Sequence, residues 1–231
     1  MPLTQAYKKV KNSIVQVIAL NGQTIISNGS GSVIDSGSLV LTCAHCVIPN
    51  AQMAIAHPSQ VNTAIYGNVI FSDQGADIAI IQFTQIIGTP VSFQNSSTCE
   101  VGNGAFVVGF PMGVGEQTLH SAHIASITTG STSHLRIDAS VNHGNSGGPL
   151  FNLNGEQIGV VNAKHGSLSQ FLSQVKNARP SAMISIDGID PVQAIQQLIN
   201  EMQRNLNLGI GYAIPTQRIK SFHPILSKCI P

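Results

Sequence analysis

The chain has 231 residues, of which 42% are hydrophobic and only 9% charged, with a formal net charge of +1. That apolar content suffices for a sizeable core within one domain, while the near-neutral balance excludes the basic field that drives nucleic-acid binding, so no nucleic-acid partner is expected. No run approaches the roughly 20 apolar residues needed to span a bilayer, so no membrane span is expected either.

The first residues, with Lys8, Lys9 and Lys11 before a short β-like run, lack the apolar region of a signal peptide. From there on, short alternating segments separated by Gly, Asn, Ser and Pro dominate, a period-two pattern that predicts an all-β body. Strands are expected at Ile14–Leu20, Gly31–Ile34, Leu39–Thr42, Ile65–Phe71 and Ile78–Phe83. The segment Gly88–Thr98 reads as a linker. A second set follows at Ala105–Gly109, Thr118–Ile127, His134–Ala139, Pro149–Asn152, Ile158–Ala163 and Gly211–Ile214.

The stretch 166–208 breaks the pattern. Ser167 can cap a short helix carrying Leu168, Phe171, Leu172 and Val175, and Asp190-Pro191 supplies an N-cap and first-turn signal for a longer one. Val192, Ile195, Ile199, Met202 and Leu206 recur at spacings of three and four, which makes one apolar stripe in need of a partner. Packing on the β body would satisfy it, and so would self-association through the 191–206 helix or a gate over a cleft.

Three short segments carry chemistry. Residues 142–150 read Asn-His-Gly-Asn-Ser-Gly-Gly-Pro-Leu, so three glycines surround Ser146 just before an apolar strand. Glycine permits positive φ and close approach, so the NH groups around Ser146 can point at a carbonyl oxygen; a plain turn would account for the same letters. His45 stands at the end of the apolar run in Ser38-Leu-Val-Leu-Thr-Cys-Ala-His-Cys-Val47, and Asp77 heads the run Ile78–Phe83. A serine hydroxyl needs a base whose pKa lies near the working pH, and a histidine in that role needs its other NH held by a carboxylate. Asp73 competes with Asp77, but Asp77 directly precedes the apolar run.

The order His, Asp, Ser in these contexts resembles the trypsin-like serine peptidases, and within them the HtrA/Deg branch. The resemblance extends to Ser13-Ile-Val-Gln-Val17, Gly29-Ser-Gly-Ser-Val-Ile-Asp35, Ile137–Leu150 and Gly209-Ile-Gly-Tyr-Ala-Ile-Pro215. It implies a single protease domain over 1–231 built of two six-stranded antiparallel β-barrels, one over about 8–90 and one over about 100–231. A helical insertion near 166–208 and a short C-terminal helix would complete it, with no PDZ domain. It further implies a serine endopeptidase acting on protein or peptide substrates through His45, Asp77 and Ser146, without a cofactor. The backbone NH groups of Gly144 and Ser146 would form the oxyanion hole. Ser140 would lie at the base of the S1 pocket, with Val141 on its wall and His143 beside the nucleophile loop. Asn162, Ala163 and Lys164 would pair with substrate backbone. Lacking a charge at Ser140, the pocket should favour small or medium aliphatic P1 residues. Asn145 stands where digestive trypsins have an aspartate that pairs with a new N-terminus, so no zymogen cleavage is expected. A catalytically silent scaffold, or an esterase with the same triad, remains an alternative.

Cysteine use bears on compartment. Cys46 follows the histidine as in secreted trypsins, but the preceding strand, Asn28-Gly-Ser-Gly-Ser-Val33, offers no mate. Reduced thiols and a cytoplasmic setting are therefore favoured. Cys43-Ala-His-Cys46 also matches CxxC. No second ligand pair of suitable spacing follows, so no metal site is expected.

Overall fold

Ile14–Asn21 (β1) is an apolar run interrupted by Gln16, and all the other residues from Ile14 to Leu20 are buried. β1 pairs antiparallel with Thr24–Ile34 (β2), which continues to Leu39–Thr42 (β3). Gln52–Ala56 (β4), Ala64–Asp73 (β5) and Ile78–Gln82 (β6) complete a closed barrel in the order β1-β2-β3-β6-β5-β4. The computed structural model describes residues 2–56, 64–111, 115–130, 132–162, 190–205 and 209–231.

The second barrel uses Gly104–Gly109 (β8), Thr118–Ile127 (β9), Leu135–Ile137 (β10), Pro149–Asn152 (β11), Glu156–Val161 (β12) and Gly211–Pro215 (β13). Its ring runs β11-β8-β9-β10-β13-β12 and closes through β11 with β12. The two-residue strand Ser92–Phe93 (β7) adds to β12 in parallel. Two six-stranded antiparallel barrels are thus present, as the resemblance implied.

Some elements depart from expectation. Gln52–Ala56 has one β-branched residue and gives little strand signal, yet β1 and β5 pair with it from both sides. The start of β2, Thr24–Gly29, lies before the strand expected at Gly31–Ile34, and the ladder to β1 extends β2 through it with Ile25 and Ile26 exposed. Leu3–Val10 is a helix (α1), an element that Lys8, Lys9 and Lys11 do not announce in the sequence. Its Ala6 and Val10 bury against Phe106, Phe110 and Phe151 of the second barrel, and Lys8 and Lys9 occupy the last turn, where positive charge suits the helix dipole.

The segment Gly88–Thr98 is a tied connection. Val91 NH donates to Val33 O at 2.9 Å and Gln94 NH to Gln157 O at 3.0 Å. Near the end of the chain, Thr216–Ile219 (termed α3, since α2 is the 191–205 helix below) and Pro224–Cys229 (α4) bury Ile219 and Leu226 in a cluster with Ile78, Ile80, Val160 and Ile214. The helix near the C-terminus is therefore present, in two short pieces.

The chain divides into two compact units, 1–163 with 209–231, and 164–208. Within the second, Pro191–Asn205 is helical (α2), capped by Asp190, whose Oδ1 accepts from Val192 NH at 2.7 Å. Along it Ile199 is buried, whereas Ile195 and Leu198 stay exposed. The expected helix from Ser167, with Leu168, Phe171, Leu172 and Val175, lies outside the described residues, as does Leu206. Among the described residues no helix is long and apolar enough to cross a membrane.

Candidate active site

Strand register brings the first two candidates together. β3 and β6 pair with Thr42 opposite Ala79, so the residues just beyond Thr42 emerge beside those just before Ile78. Residues 44–46 form a 3-10 turn, with Cys46 NH donating to Cys43 O at 3.1 Å, and this turn carries His45. On the facing side, Asp73 Oδ1 accepts from Ala76 NH at 2.8 Å and closes the hairpin turn. Asp73 is thus the turn residue, and Asp77 adopts φ +57°, a left-handed conformation that Asp tolerates better than most residues.

His45 Nδ1 lies 2.8 Å from Asp77 Oδ2 and 3.0 Å from Oδ1. The His45 backbone NH also donates to Oδ1, at 3.0 Å. A third donor comes from the second barrel: Asn162 Nδ2 reaches Asp77 Oδ2 at 2.8 Å. The two acidic oxygens are thereby fixed in plane, which holds the imidazole in one orientation. Side-chain exposures of 17% for His45 and 13% for Asp77 leave the pair reachable yet largely shielded from water.

Ser146 arrives from β11 by the same logic. β11 and β12 pair with Pro149 opposite Val160, and the ladder continues irregularly into the loop through Gly147 NH to Val161 O and Val161 NH to Gly148 O, both 2.8 Å. Asn145 NH donates to Asn142 O and Gly148 NH to Asn145 O, each at 3.0 Å, winding the loop tightly. Gly144 and Gly147 take φ +94° and +82°. The first barrel clamps the loop: Ser30 NH donates to Ser146 O at 2.8 Å and Ser30 Oγ to Gly144 O at 2.6 Å. Cys46, the neighbour of His45, contacts Ser146 O through Sγ at 3.6 Å. The serine loop therefore abuts the His45 turn.

Other candidates fall as follows. Ser140 and His143 are exposed. Val141 is buried in the second core, and a Cβ on Gly211 would stand 2.1 Å from its Cγ2. Asn162 is buried, with its NH donating to Tyr212 O at 2.8 Å and its amide on Asp77. Ala163 and Lys164 lie outside the described residues. Asn145 is fully buried, and among the described residues neither its Oδ1 nor its Nδ2 has a hydrogen-bond partner.

Two supports escaped the sequence. Ser30 links three segments, accepting from Phe110 NH at 2.9 Å as well as donating to Gly144 O; its only signal was the glycine pattern around it. The Asn162 amide bond to Asp77 had none, since it depends on two barrels meeting. The four cysteines form no disulfide. One ligating atom each from Cys43, His45 and Asp77 lies within 4.8 Å of the others, a grouping able to hold a metal ion.

Comparison with known proteins places the family and the fold. The profile of the trypsin-like peptidase domain matches residues 29–160. The chain is 34% identical over 154 residues to the serine protease HTRA2, mitochondrial, of Drosophila pseudoobscura pseudoobscura, covering 62% of this chain and 36% of that protein. It is 35% identical over 149 residues to HhoA of Synechocystis sp., covering 60% and 37%. The chain thus matches a little over a third of the length of these curated relatives. The solved structure titled HtrA-type protease AlgW with tripeptide shares the fold, with a TM-score of 0.67 at 20% identity over 94% of this chain and 60% of that one.

Proposed function

The chain belongs to the trypsin-like peptidase domain family, and from that premise we propose that it is a serine endopeptidase working through Ser146, His45 and Asp77. The observation that carries the reading is the 2.8 Å contact of His45 Nδ1 with a carboxylate held by two further donors, at the edge of the glycine loop that bears Ser146.

In this reading Ser146 Oγ adds to the scissile carbonyl carbon while its proton passes to His45 Nε2. Asp77 stays ionised and keeps the other ring nitrogen protonated. The carbonyl oxygen becomes an oxyanion held by the NH groups of Gly144 and Ser146, a contribution of about 10²- to 10³-fold per donor. Collapse breaks the C–N bond, and the amine leaves with the proton from Nε2. Water then adds to the acyl-serine by the same route, and the second collapse returns the proton to Ser146 Oγ.

Asn145 supports activity without an N-terminal ion pair. Its side chain is neutral and fully buried, so no counter-charge is called for. The absence of charge at Ser140 and the apolar Val141 favour small or medium aliphatic P1 residues, with substrate backbone running along 162–164. Such pockets discriminate weakly, since one methylene contributes only about 1–3 kcal/mol.

The test is labelling with a fluorophosphonate at neutral pH, with Ser146→Ala as the control, beside digestion of a peptide library. Labelling of the parent alone and cleavage after aliphatic residues are expected. A folded protein that fails to label is a silent scaffold; one that labels without cleaving peptides is an esterase.

A further inference from the structure

We propose that Cys43, His45 and Asp77 form a binding site for one borderline-soft divalent cation such as Zn²⁺, and that occupancy switches the hydrolytic base off. The CxxC motif supplied one neighbouring sulfur and one imidazole but no further ligand in sequence. The third ligand comes from 32 residues away, in the turn just before the strand paired with β3.

The donor set is thiol, imidazole and carboxylate, with ligating atoms all within 4.8 Å of one another. Zinc bonds of about 2.0–2.3 Å place tetrahedral ligands roughly 3.3–3.8 Å apart. The 2.8 Å contact between His45 Nδ1 and Asp77 Oδ2 has to open slightly and the sulfur to close in. Cys43 is fully buried, its Sγ facing Val161 O at 3.3 Å, and the cation reaches it past the partly exposed His45 and Asp77. Charge favours this occupant: a thiolate and a carboxylate neutralise a dication, which matters where desolvation makes unbalanced charge costly. Asn162 Nδ2 on Asp77 Oδ2 acts as an outer-shell support. Mg²⁺ and Ca²⁺ prefer oxygen ligands and should not compete.

Binding proceeds with loss of the Cys43 Sγ–H proton to water and formation of the sulfur–metal bond. The imidazole proton moves through solvent from Nδ1 to Nε2, so that the Nδ1 lone pair binds the metal. An Nε2 that carries a proton cannot accept one from Ser146. This inhibitory consequence rests on the proposed role of His45; the coordination itself does not.

Cobalt(II) is the probe, because a thiolate ligand gives a sulfur-to-cobalt charge-transfer band in the near ultraviolet. Titrating the reduced protein with cobalt chloride should produce that band at one equivalent, and zinc chloride should displace it. Cys43→Ala and Cys43→Ser should each lose the band and weaken zinc affinity, measured calorimetrically, by at least tenfold, since even an outer-shell partner is worth about 10–100-fold. Cys46→Ala should keep it. Zinc should abolish peptide hydrolysis, with recovery on chelation. No band from the folded parent protein, or a band that survives in folded Cys43→Ser, overturns the site. A band with undiminished hydrolysis at saturating zinc overturns the switch.

Discussion

Gly147→Ala tests whether the serine loop is wedged between the barrels. At φ +82° an alanine is strained regardless of space, at a cost of about 1–2 kcal/mol. The space is also missing: its Cβ would stand 2.1 Å from Thr42 Oγ1, 2.3 Å from Ser30 O and 2.9 Å from Cys43 N. Two of these are backbone atoms of the first barrel and the third a side chain that donates to Ser30 O at 2.8 Å, so none yields freely. Overpacking of this kind adds about 1–3 kcal/mol. The total, about 2–5 kcal/mol, corresponds to a fall in melting temperature of roughly 4–20 °C for a chain of this length. Gly22→Ala isolates the strain, because Gly22 has φ +59° with nothing within 4 Å of its Cβ. Calorimetry on both variants, with fluorophosphonate labelling rates on each, should show Gly147→Ala much less stable and slower to label. Equal melting temperatures for the two would refute the wedge.

Asn162→Leu removes a hydrogen bond to a shielded carboxylate, about 1.5–3 kcal/mol, and should lower kcat while leaving KM nearly unchanged; an unaltered kcat removes the positioning role. Asn145→Asp buries a carboxyl where, among the described residues, the native amide atoms have no hydrogen-bond partner. Its folded pKa should rise above the unfolded value, so stability should decline as pH rises above about 4, and denaturant melts that show no such slope contradict this. Burial lowers the pKa of His120. The unfolded chain then binds more protons, so stability should fall as pH drops below about 6.5 towards the folded value. His120→Gln should flatten that slope in urea titrations, and an equal slope in both proteins would count against it.

Local pattern carried much of the fold. Short apolar or alternating runs located β1, β3, β9 and β11 almost to the residue, and Asp190-Pro191 marked the start of α2. The failures have a shared cause. Gln52–Ala56 has weak strand preference of its own, and in Thr24–Gly29 the β-branched Thr24, Ile25 and Ile26 are followed by Ser-Asn-Gly; both are held as strands by the ladder to β1. The helix at Leu3–Val10 was equally hidden: Leu3, Ala6, Tyr7 and Val10 carry helical spacing, but Lys8 and Lys9 break up the short apolar pattern.

His45, Asp77 and Ser146 stand out as candidates in the linear sequence because each lies within three residues of a strand end in a distinctive local context. What binds them into one place does not. The ladder of β3 with β6 decides that His45 meets Asp77, and the contact between barrels decides that Asn162 completes the carboxylate's shell and that Ser30 holds Gly144. Composition and periodicity report what a residue prefers beside its neighbours in the chain. Hydrogen bonds spanning 85 or 114 residues depend on how two closed barrels pack, and only the tertiary structure sets that.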